Sequence, residues 1–298
     1  MKKVAAIVVT YNRKELLYEN IICLKKQSCK DVDILIIDNA SDDGTKDYIK
    51  NFVDNKNVFY YNTGANLGGA GGFQYGVKKA VESGYKYVWL MDDDAMPQKN
   101  ALHILMKVAD KLNDNFGFLS GKVLWKDMSI CKMNIQKKNL IEKVRDFNVN
   151  VQRIQMATFV SCFIRSDVIK DVGLPIKEFF IWADDLEYTR RISMKYPCYL
   201  VNRSVVIHKC MNNCGSDICS DMPEKLERYR YAYRNEVYIY RREGIMGWIY
   251  WILKDIYHVC SVVVKSPEKK CKKIGIIISS AFKGLVFHPA IEYVKEKK

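Results

Sequence analysis

Trp89-Leu90-Met91-Asp92-Asp93-Asp94-Ala95-Met96-Pro97 closes, with three consecutive carboxylates, an apolar run that begins at Tyr85. A strand entering a core through Tyr87, Val88, Trp89, Leu90 and Met91 is a costly place for adjacent anions. At ~4 Å and an effective dielectric of about 20, each pair repels by about 4 kcal/mol. A cation at the strand end removes the conflict. Side chains alternate across a strand, so Asp92 and Asp94 are predicted on one side and Asp93 on the other. Two hard oxygen ligands on one side suit Mg²⁺ or Mn²⁺, which usually take substrate phosphates as further ligands. A solvated acidic turn ahead of Pro97, with one Asp capping the next helix, is the competing reading of the same residues.

Outward from this stretch the pattern is strand then helix, repeated. Val4 to Thr10 is a continuous apolar run of the kind a doubly covered parallel strand shows, and Thr10-Tyr11-Asn12 is suited to cap a helix over about Arg13 to Gln27. Asp33 to Ile37 is a second buried strand, stopping at Asp38. At that end of an open α/β sheet Asp38 is a nucleotide-contact candidate, and equally a plain turn residue. A helix around Gly44 to Val53 and a strand at Val58 to Tyr61 follow. The glycine-rich run Gly64 to Gly72 then lies between a strand and a helix, where it permits close backbone approach to a ligand. It is neither a dinucleotide fingerprint nor a P-loop, so phosphates must be met elsewhere, most simply by a metal on the Asp92 strand. Helices over Phe73 to Ser83 and Pro97 to Leu112 complete an alternation that argues for a mainly parallel sheet with right-handed crossovers.

Beyond it, Phe116 to Trp125 and Gln155 to Arg165 read as strands, separated by a polar, lysine-rich surface insertion, Lys126 to Asn150, over or beside the site. The second acidic cluster, Trp182-Ala183-Asp184-Asp185-Leu186-Glu187, has the form of a capping box, and also of an aromatic platform beside a general base. Tyr199 to His208 is one more strand, ending on a histidine. His208, Cys210, Cys214 and Cys219 lie close enough in sequence to consider zinc, without the paired C-x₂-C spacing. Past Cys219 come a tyrosine- and arginine-rich helix, Glu224 to Arg242, and two apolar segments, Gly244 to Val264 and Ile274 to Phe287, interrupted by lysines. The first carries Lys254, Asp255 and His258 and fails as a clean membrane span. Amphipathic, basic helices on an anionic bilayer account for the mixture, as do helices packed on the catalytic domain or in a homo-oligomer.

Composition sets the outer bounds. The 298 residues are 49% hydrophobic, which places the chain in the globular class. Lys and Arg exceed Asp and Glu by 14, predicting an anionic partner: a phosphorylated substrate, a membrane surface or a nucleic acid. A nucleic-acid binder leaves the Asp92 strand and the glycine run unexplained. The Val4 to Val9 run is too short for a secretory signal, so the ten cysteines are expected as thiols in the cytoplasm; the basic helices past Cys219 add the expectation of a peripheral place on the inner face of the membrane.

Taken in order, Val8-Val9-Thr10-Tyr11-Asn12-Arg13, Ile36-Ile37-Asp38-Asn39-Ala40-Ser41, Asn66-Leu67-Gly68-Gly69-Ala70-Gly71-Gly72-Phe73, Asp92-Asp93-Asp94 and Trp182-Ala183-Asp184-Asp185-Leu186-Glu187 resemble the family 2 inverting glycosyltransferases of GT-A fold. The bacterial galactofuranosyltransferases are most similar, with rhamnosyltransferases next. The resemblance implies an α/β Rossmann-like domain over 1–210 and a C-terminal helical extension over 211–298. It implies Thr10, Arg13, Asp38, Asn66, Gly69, Asp92 and Asp93 around a UDP-sugar donor, and Asp92, Asp94 and His208 on Mn²⁺ or Mg²⁺. Asp185 would be the base and Asp184 would orient hydroxyls, with Trp182 against a glycan or lipid-linked oligosaccharide acceptor. Ala183 departs from the pattern, in which the acid pair follows the Trp directly.

Overall fold

The computed structural model describes residues 4–53 and 56–295. β1 (Val4–Thr10) is buried throughout, and α1 (Lys14–Lys25) leads to β2 (Val32–Asp38). Thr10 and Asn12 do not cap α1: Thr10 turns to Asp93, and the Asn12 side chain accepts from the backbone N–H of Asp42. Two short helices, α2 (Thr45–Tyr48) and α3 (Lys50–Val53), stand where one was expected, ahead of β3 (Val58–Asn62). α4 (Gly68–Glu82), β4 (Tyr87–Asp92), β5 (Ala95–Pro97), α5 (Ala101–Lys111) and β6 (Phe118–Trp125) follow. The second half holds β7 (Val151–Ile154), β8 (Cys162–Arg165), α6 (Ser166–Val172), α7 (Asp184–Ser193) and β9 (Cys198–His208). Three helices end it: α8 (Tyr229–Arg241), α9 (Gly244–Lys265) and α10 (Lys270–Leu285).

Among the described residues one sheet runs β3-β2-β1-β4-β8-β6-β9-β5, with β7 also on β9. The first four strands are parallel; β8 is antiparallel between β4 and β6, whereas β6 and β9 are again parallel. The two-residue period of β1 sorts the core. Val4, Ala6 and Val8 face α1 and α5, and Ala5, Ile7 and Val9 face α4, α6 and α7. Helices therefore cover both faces, as the α/β reading expects.

Three local expectations change. Only Gly64 to Leu67 of the glycine run is loop; Gly68 to Gly72 open α4. A Cβ on Gly76 would stand 2.6 Å from Ile7, and one on Gly72 2.6 Å from Val9, so these glycines let the helix lie close on β1. The helix expected from Pro97 begins only at Ala101, because Ala95–Pro97 pairs antiparallel with β9 and sets Ala95 opposite His208. The expected strand over 155–165 is broken by a 3-10 turn at Phe159–Ser161.

The C-terminal helices pack onto this sheet domain. The arginines and tyrosines of α8 are largely used inside: Arg241 donates to the carbonyls of Gly284 and Phe287, Arg234 donates to that of Glu178, and Tyr229, Tyr233, Tyr238 and Tyr240 are buried. That leaves little of this segment as a basic, aromatic strip for nucleic acid. No helix among the described residues is long and apolar enough to cross a membrane.

Candidate active site

β4 delivers Asp92 to its carboxyl end, and Asp93 and Asp94 form the turn into β5. Asp93 points back toward β1, accepting from the Thr10 hydroxyl at 2.7 Å and from Arg13 at 3.3 Å. Asp94 meets Arg13 at 3.0 Å on one side and His208 Nε2 at 3.0 Å on the other. The ligand atoms of Asp92, Asp94 and His208 all lie within 4.8 Å of one another. The expected split of the three acids is thus present, although the strand itself stops at Asp92. The partner that aims His208 comes from the 126–150 insertion, which buries Cys131, Asn134, Gln136 and Val144 rather than lying wholly on the surface.

Whether these residues fit a divalent cation turns on the imidazole. The Asn134 amide donates to Thr158 Oγ1 at 2.9 Å, and its Oδ1 lies 2.8 Å from His208 Nδ1. An acceptor there holds the ring proton on Nδ1 and leaves the Nε2 lone pair facing Asp94 Oδ1, a buried oxygen with no well-directed donor of its own. Two lone pairs 3.0 Å apart, with Asp92 beside them, form a donor set for a hard cation. Without a metal a proton serves. Burial pulls the His208 imidazole down, but Asp94, Cys131 and Asp92 outweigh it and push it up to about 10. Burial also raises Asp92 to about 6, helped by Asp94 and opposed by His208 and Arg13. Asp93 is raised to about 7 by burial despite Arg13. Burial acts on Asp94 too, yet His208 and Arg13 hold it below its ordinary value.

The second acid pair is presented by a strained loop. Phe180, Trp182 and Ala183 have φ of 61°, 66° and 67°, a left-handed region that non-glycine residues seldom occupy. Asn235 of α8 holds this backbone, its amide donating to the carbonyls of Phe179 and Trp182 at 3.0 and 2.9 Å. The capping-box reading fails here. Ala183 is the N-cap of α7 with no side-chain bond, and Glu187 instead forms a buried pair with Arg191 at 2.8 Å. Asp184 and Asp185 are left to face the cleft. Burial raises both carboxyls, Asp184 further through Asp185, and Asp185 to about 7 with the Leu186 N–H and Lys137 opposing. Trp182 packs edge-on against Tyr229 at 5.0 Å, so the C-terminal extension forms part of the wall.

The two acid clusters face one cleft with two lobes. The larger, about 400 Å³, is lined by Asp92, Asp94, His208, Asn134, Trp182, Asp184 and Asp185. The smaller, about 330 Å³, is lined by Thr10, Asn39, Asn66, Gly68 and Asp93. Arg13, Gly69, Asp92 and Arg228 border both. All the expected site residues but one are therefore brought to this cleft. Asp38 is the exception: it lines neither lobe, its carboxylate accepting from the Ser41 N–H and hydroxyl and from the Tyr60 hydroxyl. Its neighbour Asn39 is at the wall instead. The four-residue zinc cluster is not assembled either. His208 and Cys210 gather with Cys131, while Cys214 is exposed and Cys219 is buried against the α10 side, its carbonyl taking the Lys273 ammonium at 2.8 Å. Sequence reasoning missed Asn39, Asn134, Arg228 and Asn235. Asn39 stood in a quoted motif and Arg228 and Asn235 in the Tyr/Arg-rich segment, whereas Asn134 carried no signal.

Comparison with known proteins bears on the family and the fold. The model of the family "Glycosyl transferase family 2" matches residues 5–173. The galactofuranosyltransferase GlfT1 of Mycolicibacterium smegmatis is 25% identical over 260 residues, covering 81% of this chain and 84% of the relative. A Campylobacter jejuni GalNAc(5)-diNAcBac-PP-undecaprenol β-1,3-glucosyltransferase is 31% identical over 49% of this chain and 55% of its own length. Among solved structures, Staphylococcus aureus TarS 1-349 in complex with UDP-GlcNAc superposes with a TM-score of 0.56 at 13% identity, over 96% of this chain and 73% of that one. The chain is a glycosyltransferase and belongs to glycosyl transferase family 2.

Proposed function

We propose that this enzyme moves a hexosyl group, galactofuranose in the first instance, from its UDP donor to a hydroxyl of a glycan or lipid-linked saccharide, with inversion at the anomeric carbon. The observation that carries the reading is the meeting of Asp92, Asp94 and His208 with Asp184 and Asp185 across a single 400 Å³ lobe. Thr10, Asn39, Asn66 and Gly69 border the adjoining lobe, of a size suited to the nucleoside. Asp92, Asp94 and His208 would hold Mn²⁺ or Mg²⁺, which would supply positive charge against that developing on the leaving diphosphate. Arg13 and Arg228, at the junction of the lobes, add fixed positive charge where that diphosphate lies.

Asp185 takes the proton of the acceptor hydroxyl as its oxygen bonds to the anomeric carbon and the carbon–diphosphate bond breaks on the opposite face. One carboxylate suffices, and no covalent nucleophile is required. A carboxyl raised to about 7 is well matched to accepting a proton near neutrality. Similarity to GlfT1 over most of both chains favours galactofuranose as donor sugar; the glucosyltransferase relative keeps other hexoses, rhamnose included, as the second reading. The undecaprenol-linked substrate in that relative's name likewise supports a lipid-linked acceptor.

The test is release of the nucleoside diphosphate with Mn²⁺ across a panel of sugar nucleotides, each paired with saccharide and lipid-linked acceptors. Turnover with UDP-galactofuranose above all others supports the first reading. Turnover with another hexose donor, dTDP-rhamnose included, replaces the sugar but keeps the mechanism, and none with any sugar nucleotide overturns both.

A further inference from the structure

The helix α9 is inside out. Its charged and hydrogen-bonding side chains turn inward: Lys254 pairs with Glu236 of α8 at 2.5 Å, His258 meets the Tyr233 hydroxyl at 2.9 Å, and both oxygens of Asp255 are buried. Between Ile245 and Val264 every exposed position carries an uncharged and, apart from Tyr257 and Cys260, wholly hydrocarbon or thioether side chain. Ile245 is 79% exposed, Leu253 61% and Val264 78%. Helical spacing puts these residues on one face. The exposed side of α10 continues it through Ile278, Phe282 and Leu285, with Val286 just beyond the helix end, and an apolar groove of about 350 Å³ lies between the two helices, floored by Trp251 and Val259. A soluble protein seldom leaves so large a contiguous apolar surface uncovered.

The charge beside this face identifies what covers it. Lys265, Lys269, Lys270 and Lys272 are exposed in and around the turn joining α9 to α10, at one end of the apolar stripe, and Lys283 lies along α10. An anionic surface satisfies both halves of the pattern, the stripe entering the acyl boundary and the lysines meeting headgroups. A second copy of this chain brings the same positive sign, in a protein whose net charge is +14, and meets repulsion at the rim. We infer that the outer face of α9 and α10 seats the enzyme on an anionic lipid bilayer, lying in the interface without spanning it. This deepens the lipid-linked acceptor reading and rests on it for its purpose, since the acceptor would then be met where it is anchored.

The test is flotation of the full-length protein with vesicles of phosphatidylcholine alone and of phosphatidylcholine with phosphatidylglycerol. The wild type should float with the anionic vesicles and bind the neutral ones at least tenfold more weakly. Lys265→Gln, Lys269→Gln and Lys270→Gln should each weaken binding about fivefold. The double variant Ile249→Glu/Ile256→Glu should bind neither vesicle, while its protection from heat by UDP and Mn²⁺ stays that of the wild type. Retained UDP protection separates failure of this surface from failure of the transferase reading, which would abolish UDP binding in every variant. Wild-type protein that ignores both vesicles overturns the inference, as do glutamate variants that float normally. A dimer in sedimentation velocity that the glutamate variants dissolve, without vesicle binding, assigns the face to a second copy and equally overturns it.

Discussion

Asp185→Asn should make this protein slower and more stable at once. The substitution keeps shape and removes a carboxylate whose burial outweighs the Leu186 N–H and Lys137, so that its pKa stands near 7 against an ordinary 3.8. Those roughly 3 units, at 1.36 kcal/mol each, set an upper limit of about 4 kcal/mol on what an ionised Asp185 costs the fold. Sharing with Asp184 and screening by bound ions reduce it. The folded value lies above the unfolded one, so the folded state binds the proton more tightly. The cost is absent below about pH 4, grows between there and 7, and is complete above 7. Thermal unfolding of wild type and variant at about pH 4.5 and pH 8 reads this directly, and the Asn variant should gain several degrees only at the higher pH. UDP release by the same variant should fall about 10²-fold or more, as loss of a general base requires. The wild-type rate should decline as pH drops through about 7. A variant that melts lower than wild type at pH 8, or that turns over within tenfold of it, refutes the reasoning.

Four further outcomes follow from particular contacts. Asp94→Asn or His208→Gln should remove the extra heat protection that Mn²⁺ gives in the presence of UDP, measured by thermal shift, because each deletes one of the three converging ligands. Arg228→Ala should raise donor KM about tenfold with less change in kcat, since a charged hydrogen bond to the diphosphate is worth about 1.5–3 kcal/mol. Gly68→Ala places a Cβ 2.1 Å from the Phe180 carbonyl at a φ of 70°, so the acid-bearing loop must move; denaturant unfolding should show a loss of a few kcal/mol, with reduced turnover. Arg191→Met leaves Glu187 buried with only the longer 3.4 Å contact to Arg242, and about 3 kcal/mol should be lost in the same assay.

The sheet domain was legible because its strands are uniformly apolar and its acids stop them abruptly; Val4–Thr10, Val32–Asp38 and Tyr87–Asp92 are all found within a residue or two of expectation. What was not legible depends on contacts between distant segments. The short strand Ala95–Pro97 looks like the start of a helix until β9 is there to pair with it. Asn134 sits in a lysine-rich stretch with no pattern, and only the fold brings it to His208, 74 positions away. Asp184-x-x-Glu187 has capping-box letters, yet Arg191 one turn on competes for Glu187 and the strained Ala183 takes the cap. The glycine run signalled close approach correctly, but for Gly72 and Gly76 the partner is β1 rather than a ligand. Gly68 and Gly69 do reach the cleft, and only Gly69 of the two has nothing near its Cβ position.

The central claim is that Asp92, Asp94 and His208 grip a divalent ion that receives the donor's diphosphate. Titration calorimetry of UDP into the protein, with and without Mn²⁺, addresses it most directly, run beside Asp94→Asn. Binding that Mn²⁺ strengthens at least tenfold in the wild type, and leaves unchanged in the variant, is the outcome this account requires. UDP affinity that is the same with and without the ion, or the same in both proteins, would contradict it.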